Sequence, residues 1–257
     1  MITRYRASLD RVNLDALAPE IMILDIAHGT PVFTNQASAL AGRSGQIVTG
    51  RTVPSCGVTI TIEIHTQDTQ RRQAVCALVQ RWAMGGGKLR VNSRPHHFLQ
   101  VICDRPPTVP SELRWTGKIT IGLTANEIPY WQEDTERTAR ATTEKGASLY
   151  VAGTVEDTPV GAEISNNSGR TVNTLTITAG DTVFSFTDLA LASGETLSIG
   201  QDERGLLYIR AGDTSKMDKR TPESSDELRI RQNEHVSVSV TADATVTAVF
   251  KARGREL

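Results

Sequence analysis

Alternation of apolar and polar residues is clearest near residue 60 of the chain. Residues 58–64 alternate with a period of two, which predicts a half-buried strand. Its apolar members are Val58, Ile60, Ile62 and Ile64. A helical spacing follows and predicts one helix over residues 69–84. The apolar stripe of this helix is Val75, Leu78, Val79 and Trp82.

The ends of this helix are also marked in the sequence. Asp68 can cap its first turn, because a carboxylate accepts hydrogen bonds from the free amides there. The triple glycine 85–87 ends it, since glycine adopts left-handed backbone conformations without penalty. Three further strands are predicted at residues 88–91, 98–103 and 113–129.

Beyond residue 147 the pattern becomes a series of short alternating runs between turn sequences. Strands at this spacing favour an antiparallel β-sandwich over residues 148–257. The predicted strands are 148–152, 160–165, 172–178, 182–187, 196–199, 206–210, 228–231, 235–241 and 245–252. Phe184 and Phe186 share one face of their strand, which is typical of core packing. Residues 213–227 are charged and are predicted to form a mobile loop.

Three other stretches fall outside these predicted elements. Residues 1–19 are interpreted as a weakly structured lead-in, and residues 132–147 as a linker or an exposed edge. Residues 1–131 carry 14 Lys and Arg against 9 Asp and Glu, a net +5, whereas residues 132–257 carry 14 against 20, a net −6. This change of sign supports a domain boundary at the polar stretch.

The third stretch, residues 33–57, is rich in Ala, Ser, Thr and Gly. Such residues bury little surface, so we interpret it either as an arm that reaches a neighbouring subunit or as a surface loop. In the arm hypothesis, the guanidinium groups of Arg43 and Arg51 would bind the neighbour's carboxylates or carbonyls. Gly45 and Gly50 would permit bends in the chain.

The order of these features resembles the distal tail (Dit) protein family of long-tailed bacteriophages. The resemblance is carried by WAMGGGKLRVNSRPHHFLQVICDRPPTV after the helix, by ANEIPYW with its Pro129-Tyr130, by the hairpin sequence Thr196–Ile209, and by the ending VFKARGREL. It also covers an Arg-x-Gly element in the arm, matched by Arg43 and Gly45. Arg43, Gly45 and Arg51 are therefore the candidate subunit-interface residues.

The resemblance implies a mainly β protein of two domains. Residues 1–131 would form a β-sandwich-like ring domain with one α-helix, and residues 148–257 a galectin-like antiparallel β-sandwich. Six copies would surround the tail channel at the virion tail tip. The partners it implies are the tail tube protein, the tail hub or tail-associated protein, and receptor-binding or fibre proteins. The genome would pass through the ring without sequence-specific recognition.

The sequence also indicates the compartment in which the protein is made. The N-terminus lacks the apolar run of a signal peptide, and no stretch of about 18 apolar residues could span a membrane. The chain has three cysteines, Cys56, Cys76 and Cys103, and no two of them have C-x-x-C spacing, so no disulfide framework is expected. These features predict synthesis in a cytoplasm, which the resemblance implies is that of the host bacterium, and no membrane partner.

No stretch carries a recognisable catalytic or cofactor motif. His96 and His97 are adjacent, and on a strand their side chains would diverge rather than share a metal. There is no G-x-S-x-G element, and no Walker lysine follows a glycine loop. We therefore expect no enzyme activity, metal or cofactor. Two alternatives stay open, namely a carbohydrate-binding adhesin module that recognises host surface glycans and, less well supported, a glycan hydrolase.

Overall fold

The computed structural model describes residues 5–29, 33–39, 44–107 and 118–257, apart from the side chain of Arg51. The protein is mainly β, as predicted, with one α-helix in this described part of the chain. It divides into two compact units. Unit 1 is Met1–Trp131 with Leu257, and unit 2 is Gln132–Glu256.

Unit 1 contains nine strands in the ranges that the structure describes. These are β1 (Ala7–Leu9), β2 (Val12–Asn13), β3 (Ile21–His28), β4 (Thr34–Ala39), β5 (Gln46–Thr52), β6 (Cys56–Ile64), β7 (Gly87–Val91), β8 (His97–Val101) and β9 (Lys118–Ala125). Helix α1 covers Thr69–Met84, and a 3-10 turn covers Leu14–Ala16. A further short strand, β10 (Trp131–Glu133), lies where the two units meet in the sequence.

Two antiparallel sheets and the helix share one apolar cluster in unit 1. One sheet has the order β3-β6-β9, and strands β2, β1, β7 and β8 pair in that order. Strand β6 is central to the first sheet, and its Ile60 and Ile62 are fully buried. The half-buried strand predicted from the alternation in residues 58–64 is confirmed as part of β6.

The helix has the predicted ends. The Asp68 carboxylate accepts hydrogen bonds from the amides of Gln70, at 2.8 Å, and Arg71, at 3.3 Å. Gly86 follows the helix with φ +61°, where a Cβ would lie 3.0 Å from the carbonyl oxygen of Val101. Glycine is therefore required there both by the backbone conformation and by the close approach of β8.

The interpretation of residues 1–19 as a weakly structured lead-in was wrong for the described residues 5–19. Strand β1 pairs with β7, and Leu9 and Leu14 are buried in the cluster of unit 1. A strand of three residues is too short to show a period of two, which is why its pattern was not visible. Part of the predicted strand 113–129 lies in residues 108–117, outside the described residues. Strand β9 covers Lys118–Ala125.

Unit 2 contains the nine predicted strands and three more. In chain order they are β11 (Arg137–Thr142), β12 (Ala147–Tyr150), β13 (Asp157–Asn166), β14 (Leu175–Ala179), β15 (Thr182–Phe186), β16 (Thr196–Gln201), β17 (Leu207–Ala211), β18 (Thr214–Ser215), β19 (Arg229–Arg231), β20 (His235–Ala242), β21 (Val246–Ala252) and β22 (Arg255–Glu256). A second 3-10 turn covers Met217–Lys219.

The two sheets of unit 2 enclose one apolar cluster and so form a β-sandwich. One sheet has the order β11-β21-β13-β16-β17-β18, with β19 also paired to β13, and the other has the order β12-β20-β14-β15. Phe184 and Phe186 are buried in this cluster, with ring centroids 6.4 Å apart in an edge-on arrangement. The prediction that these two residues pack in a core is confirmed.

Residues 132–147 are more ordered than a linker. They contain β11, an edge strand whose residues Arg137–Thr142 pair with β21. Ala139 and Ala141 alternate inward and are buried, while Arg137 and Arg140 remain exposed. Of the two interpretations, the exposed edge therefore fits this stretch. Its buried side chains are small, so its hydrophobic pattern is weak.

Residues 213–227, predicted as a mobile loop, contain β18 and the second 3-10 turn. This segment runs along β15, where the amides of Thr221 and Ser225 each donate a 2.8 Å hydrogen bond to a carbonyl of that strand. The Ser224 and Ser225 hydroxyls accept hydrogen bonds from the amides of Ser185 and Val183. Hydroxyl side chains thus hold a polar segment against an otherwise open sheet edge.

Candidate functional site

Residues 33–57, predicted as an arm or a surface loop, mainly form a β-hairpin. Strands β4 and β5 pair antiparallel from Thr34 with Thr52 to Ala39 with Gln46, and we call residues 34–52 the arm hairpin. Among the described residues, neither strand pairs with any other strand. The segment ends earlier than predicted, because Cys56 and Gly57 already belong to β6 of the core.

The described residues of the arm hairpin contribute almost nothing to the core of unit 1. Residues 33–39 and 44–49 are all exposed. Val48 keeps 58% and Ile47 38% of its surface accessible. A two-stranded hairpin alone is at best marginally stable in water, so an ordered hairpin with exposed apolar side chains is suited to a surface that another molecule covers.

The register of the hairpin places its apolar groups on both faces. Ala37 pairs with Val48 and Ser38 pairs with Ile47, and residues paired across antiparallel strands project from the same side. Successive residues project from opposite sides, so Val48 and Ile47 lie on opposite faces. Either face of the arm hairpin can therefore offer one branched apolar side chain to a partner.

A bulge interrupts the register between Gln36 and Ala37 and leaves Thr49 as the extra residue. The Thr49 hydroxyl donates a hydrogen bond to the carbonyl oxygen of Gln36, at 3.2 Å. A Cβ on Gly50 would lie 3.2 Å from the side-chain oxygen of Gln36, so glycine fits this crowded position. Whether Gly50 permits a bend in the arm, as predicted, stays a prediction.

The three predicted interface residues fall along this hairpin. Gly45 lies just before β5 with φ +92°, a conformation that favours glycine, and an added Cβ there would lie within 4 Å of none of the described residues. Arg51 is the Cα partner of Asn35 near the base of the hairpin. Arg43 lies outside the described residues. The roles of Arg43, Gly45 and Arg51 in a subunit interface stay predictions.

The candidate chemistry elsewhere in unit 1 differs from the sequence-based interpretation in one respect. His96 has φ +70° and lies in the turn before β8, so strand alternation does not separate it from His97. Both residues border one cleft of about 220 Å³ together with Arg6 and Arg90. Within the described ranges, no group of three His, Cys, Asp or Glu residues is placed to hold a metal ion.

All three cysteines of the chain lie in unit 1. Burial raises the pKa of the Cys56 and Cys76 thiols above their ordinary value, which disfavours the reactive thiolate form. Burial also raises the pKa of Cys103. All three cysteines are free. None of the described helices is long and apolar enough to cross a membrane.

The architecture defines a class of two-unit, mainly β proteins with a helix-bearing first unit, an exposed hairpin and a β-sandwich second unit. Two solved structures match nearly the whole chain. SPP1 Dit, described as a paradigm of the hub adsorption apparatus in phages that infect Gram-positive bacteria, is 12% identical with a TM-score of 0.66, over 98% of this chain and 99% of that chain. A chain of the phage P2 baseplate in its activated conformation with calcium is 9% identical with a TM-score of 0.52, over 99% and 98%.

No protein-family profile and no curated protein matches the sequence. At identities of 9–12% the similarity lies in the fold. The chain therefore has the fold of a phage Dit protein over both of its units, in agreement with the resemblance seen in the sequence.

Proposed function

We propose that the protein is a distal tail protein, a structural component of the tail tip of a long-tailed phage or a related tail-like particle. The observation that carries the proposal is the match to SPP1 Dit over 98% of this chain, which includes both units and not only a common sandwich. A β-sandwich alone hosts many functions, whereas this combination of units is a much more specific arrangement.

In this proposal six copies form a ring, and the arm hairpin of each copy packs on the next. The exposed Val48 and Ile47 support this role, because they supply apolar surface that the chain itself leaves uncovered. Contacts of this kind are heterologous, and a heterologous contact closes into a ring when its rotation allows. Arg43 and Arg51 would add charged hydrogen bonds to the same interface.

The ring would join the tail tube protein to the tail hub or tail-associated protein and to receptor-binding or fibre proteins. It would act through assembly alone, without catalysis, a cofactor or a membrane partner, and without sequence-specific contact to nucleic acid. The protein would be made in the bacterial cytoplasm and remain at the virion tail tip.

Electron microscopy tests this proposal at two levels. Negatively stained images of the purified chain should show six-fold rings with a central channel. An antibody raised against the chain should label the tail tip of particles that contain it. Labelling of heads, of fibres alone or of no particle structure would contradict the assignment, even if the purified chain formed rings.

A further inference from the structure

A polar cleft of about 370 Å³ lies at one end of the sandwich in unit 2. Four segments border it: Asp157 at the start of β13, the turn from β14 to β15, strand β19, and residues 234–236 at the start of β20. Its volume lies within the range of about 300–1,000 Å³ typical of small-molecule sites. All of its residues belong to unit 2, so it does not depend on ring formation.

Backbone contacts hold the walls of this cleft in place. The amide of Gly180 in the β14–β15 turn donates a 3.0 Å hydrogen bond to the carbonyl of Ser237. Gly180 has φ +57°, and a Cβ there would lie 3.0 Å from the side chain of Val236. The amide of Arg229 donates to the Thr182 hydroxyl at 3.0 Å. The cleft is therefore preformed and needs no rearrangement to admit a ligand.

The cleft presents hydrogen-bonding groups that the protein does not use. The side chains of Asp157, Asp181, Glu234 and Arg231 form no hydrogen bond or ion pair with any described residue. Asp157 and Arg231 are even Cα partners on adjacent strands, yet they form no ion pair. By contrast, Arg229 is bound to Glu227 at 2.6 Å and is not available.

An exposed aromatic pair adjoins the same cleft. Tyr150 is 43% exposed, and its ring centroid lies 5.0 Å from that of His235, which borders the cleft. The Ser148 hydroxyl lies 3.4 Å from Nδ1 of this imidazole. An aromatic ring beside a polar cleft offers an apolar surface next to donors and acceptors.

We propose that this cleft binds a neutral oligosaccharide. Vicinal hydroxyls can donate to the carboxylates and accept from the guanidinium, while the C–H face of a sugar ring packs on Tyr150. Three carboxylates disfavour a polyanion. A metal ion would explain the carboxylates but neither Arg231 nor the aromatic pair. A neutral, hydroxyl-rich ligand uses all of these groups together.

The test uses the full-length protein on an array of neutral hexose and N-acetylhexosamine oligosaccharides, followed by calorimetric titration with the strongest binder. Tyr150→Ala and Asp181→Ala should each weaken binding about tenfold or more, the scale of one lost charged hydrogen bond or packing contact. Tyr150→Phe should bind as the unchanged protein does, because it keeps the ring. The matched control is Glu203→Ala, which removes an exposed carboxylate from the β16–β17 turn.

Three results would overturn the proposal. The first is the absence of binding to every oligosaccharide at concentrations up to about 10 mM, where even weak sites fill. The second is binding that Tyr150→Ala and Asp181→Ala leave unchanged, which would place the sugar elsewhere. The third is calorimetric binding of Ca²⁺ alone at this cleft with no oligosaccharide bound. Unchanged thermal unfolding of each variant excludes a general loss of fold as the cause.

Discussion

Replacing Val48 with Asp provides a sharp test of the arm hairpin as an interface. This valine is 58% exposed in the single chain, so the change should leave the fold of unit 1 intact. In the assembled ring the same side chain would be covered by a neighbour. The variant should therefore separate assembly from folding.

The expected size of the effect follows from the exposed fraction. Full burial of an apolar side chain such as valine stabilises by about 1.5–3 kcal/mol, so covering the exposed 58% is worth about 1–2 kcal/mol per interface. Aspartate loses this contribution and also buries an unpaired charge, which adds further cost. The dissociation constant of each subunit interface should therefore rise by about tenfold or more.

Mass photometry over a dilution series measures this change, with Val12→Asp as the matched control. Val12 is 50% exposed in β2, outside the arm hairpin. Val48→Asp should dissociate at concentrations where the unchanged protein and Val12→Asp remain assembled. Equal assembly of all three proteins, or equal dissociation of both variants, would refute the assignment of the interface to the arm hairpin.

Three further predictions concern the fold. Burial, with the charge of Arg94, lowers the pKa of His28. The unfolded chain therefore binds this proton more tightly, and stability present above the ordinary pKa of about 6.5 is lost as pH falls through that value. In urea unfolding, the His28→Gln variant should lose less stability between pH 7 and pH 5 than the unchanged protein does. Buried Cys56 should react with a thiol reagent only on unfolding, as located by mass spectrometry; reaction in the native state would contradict its burial. Asn166→Ala, which removes four side-chain hydrogen bonds of a buried residue, should cost about 2–4 kcal/mol in urea unfolding, against about 0.5 for exposed Asn167→Ala.

The sequence was most informative where full-sized apolar side chains alternate. Val58 to Ile64 gave the central strand of unit 1, and the nine runs beyond residue 147 all became strands of unit 2. The helix was also predicted with its bounds, because Asp68 and the glycines after Met84 mark both ends. In these places local pattern and tertiary burial agree.

The strands that the sequence did not predict lie in segments with small or polar side chains. Strand β11 buries only alanines, the arm hairpin buries almost nothing, and residues 213–227 are held by serine hydroxyls. None of these features produces a hydrophobic period, so pairing partners far along the chain decide the structure.

The polar cleft of unit 2 could not be predicted from the sequence. Its charged groups come from segments as far apart as Asp157 and Glu234. Asp202 and Glu203 are adjacent in the sequence, but Asp202 stabilises its own turn by accepting hydrogen bonds from the amides of Arg204 and Leu206. Only the folded topology brings the cleft residues together.

The central claim is that this chain builds a ring through its arm hairpin, and the mass of a shortened chain tests it most directly. Thr34 and Thr52 are Cα partners, so replacing residues 35–51 with Asn-Gly closes the strands with a two-residue turn and removes little of the core. The intact protein should have the mass of six 27.9 kDa chains, about 167 kDa. The shortened chain should be a folded monomer at the same concentration. A ring formed by the shortened chain, or an intact chain that stays monomeric at every concentration, would contradict the account.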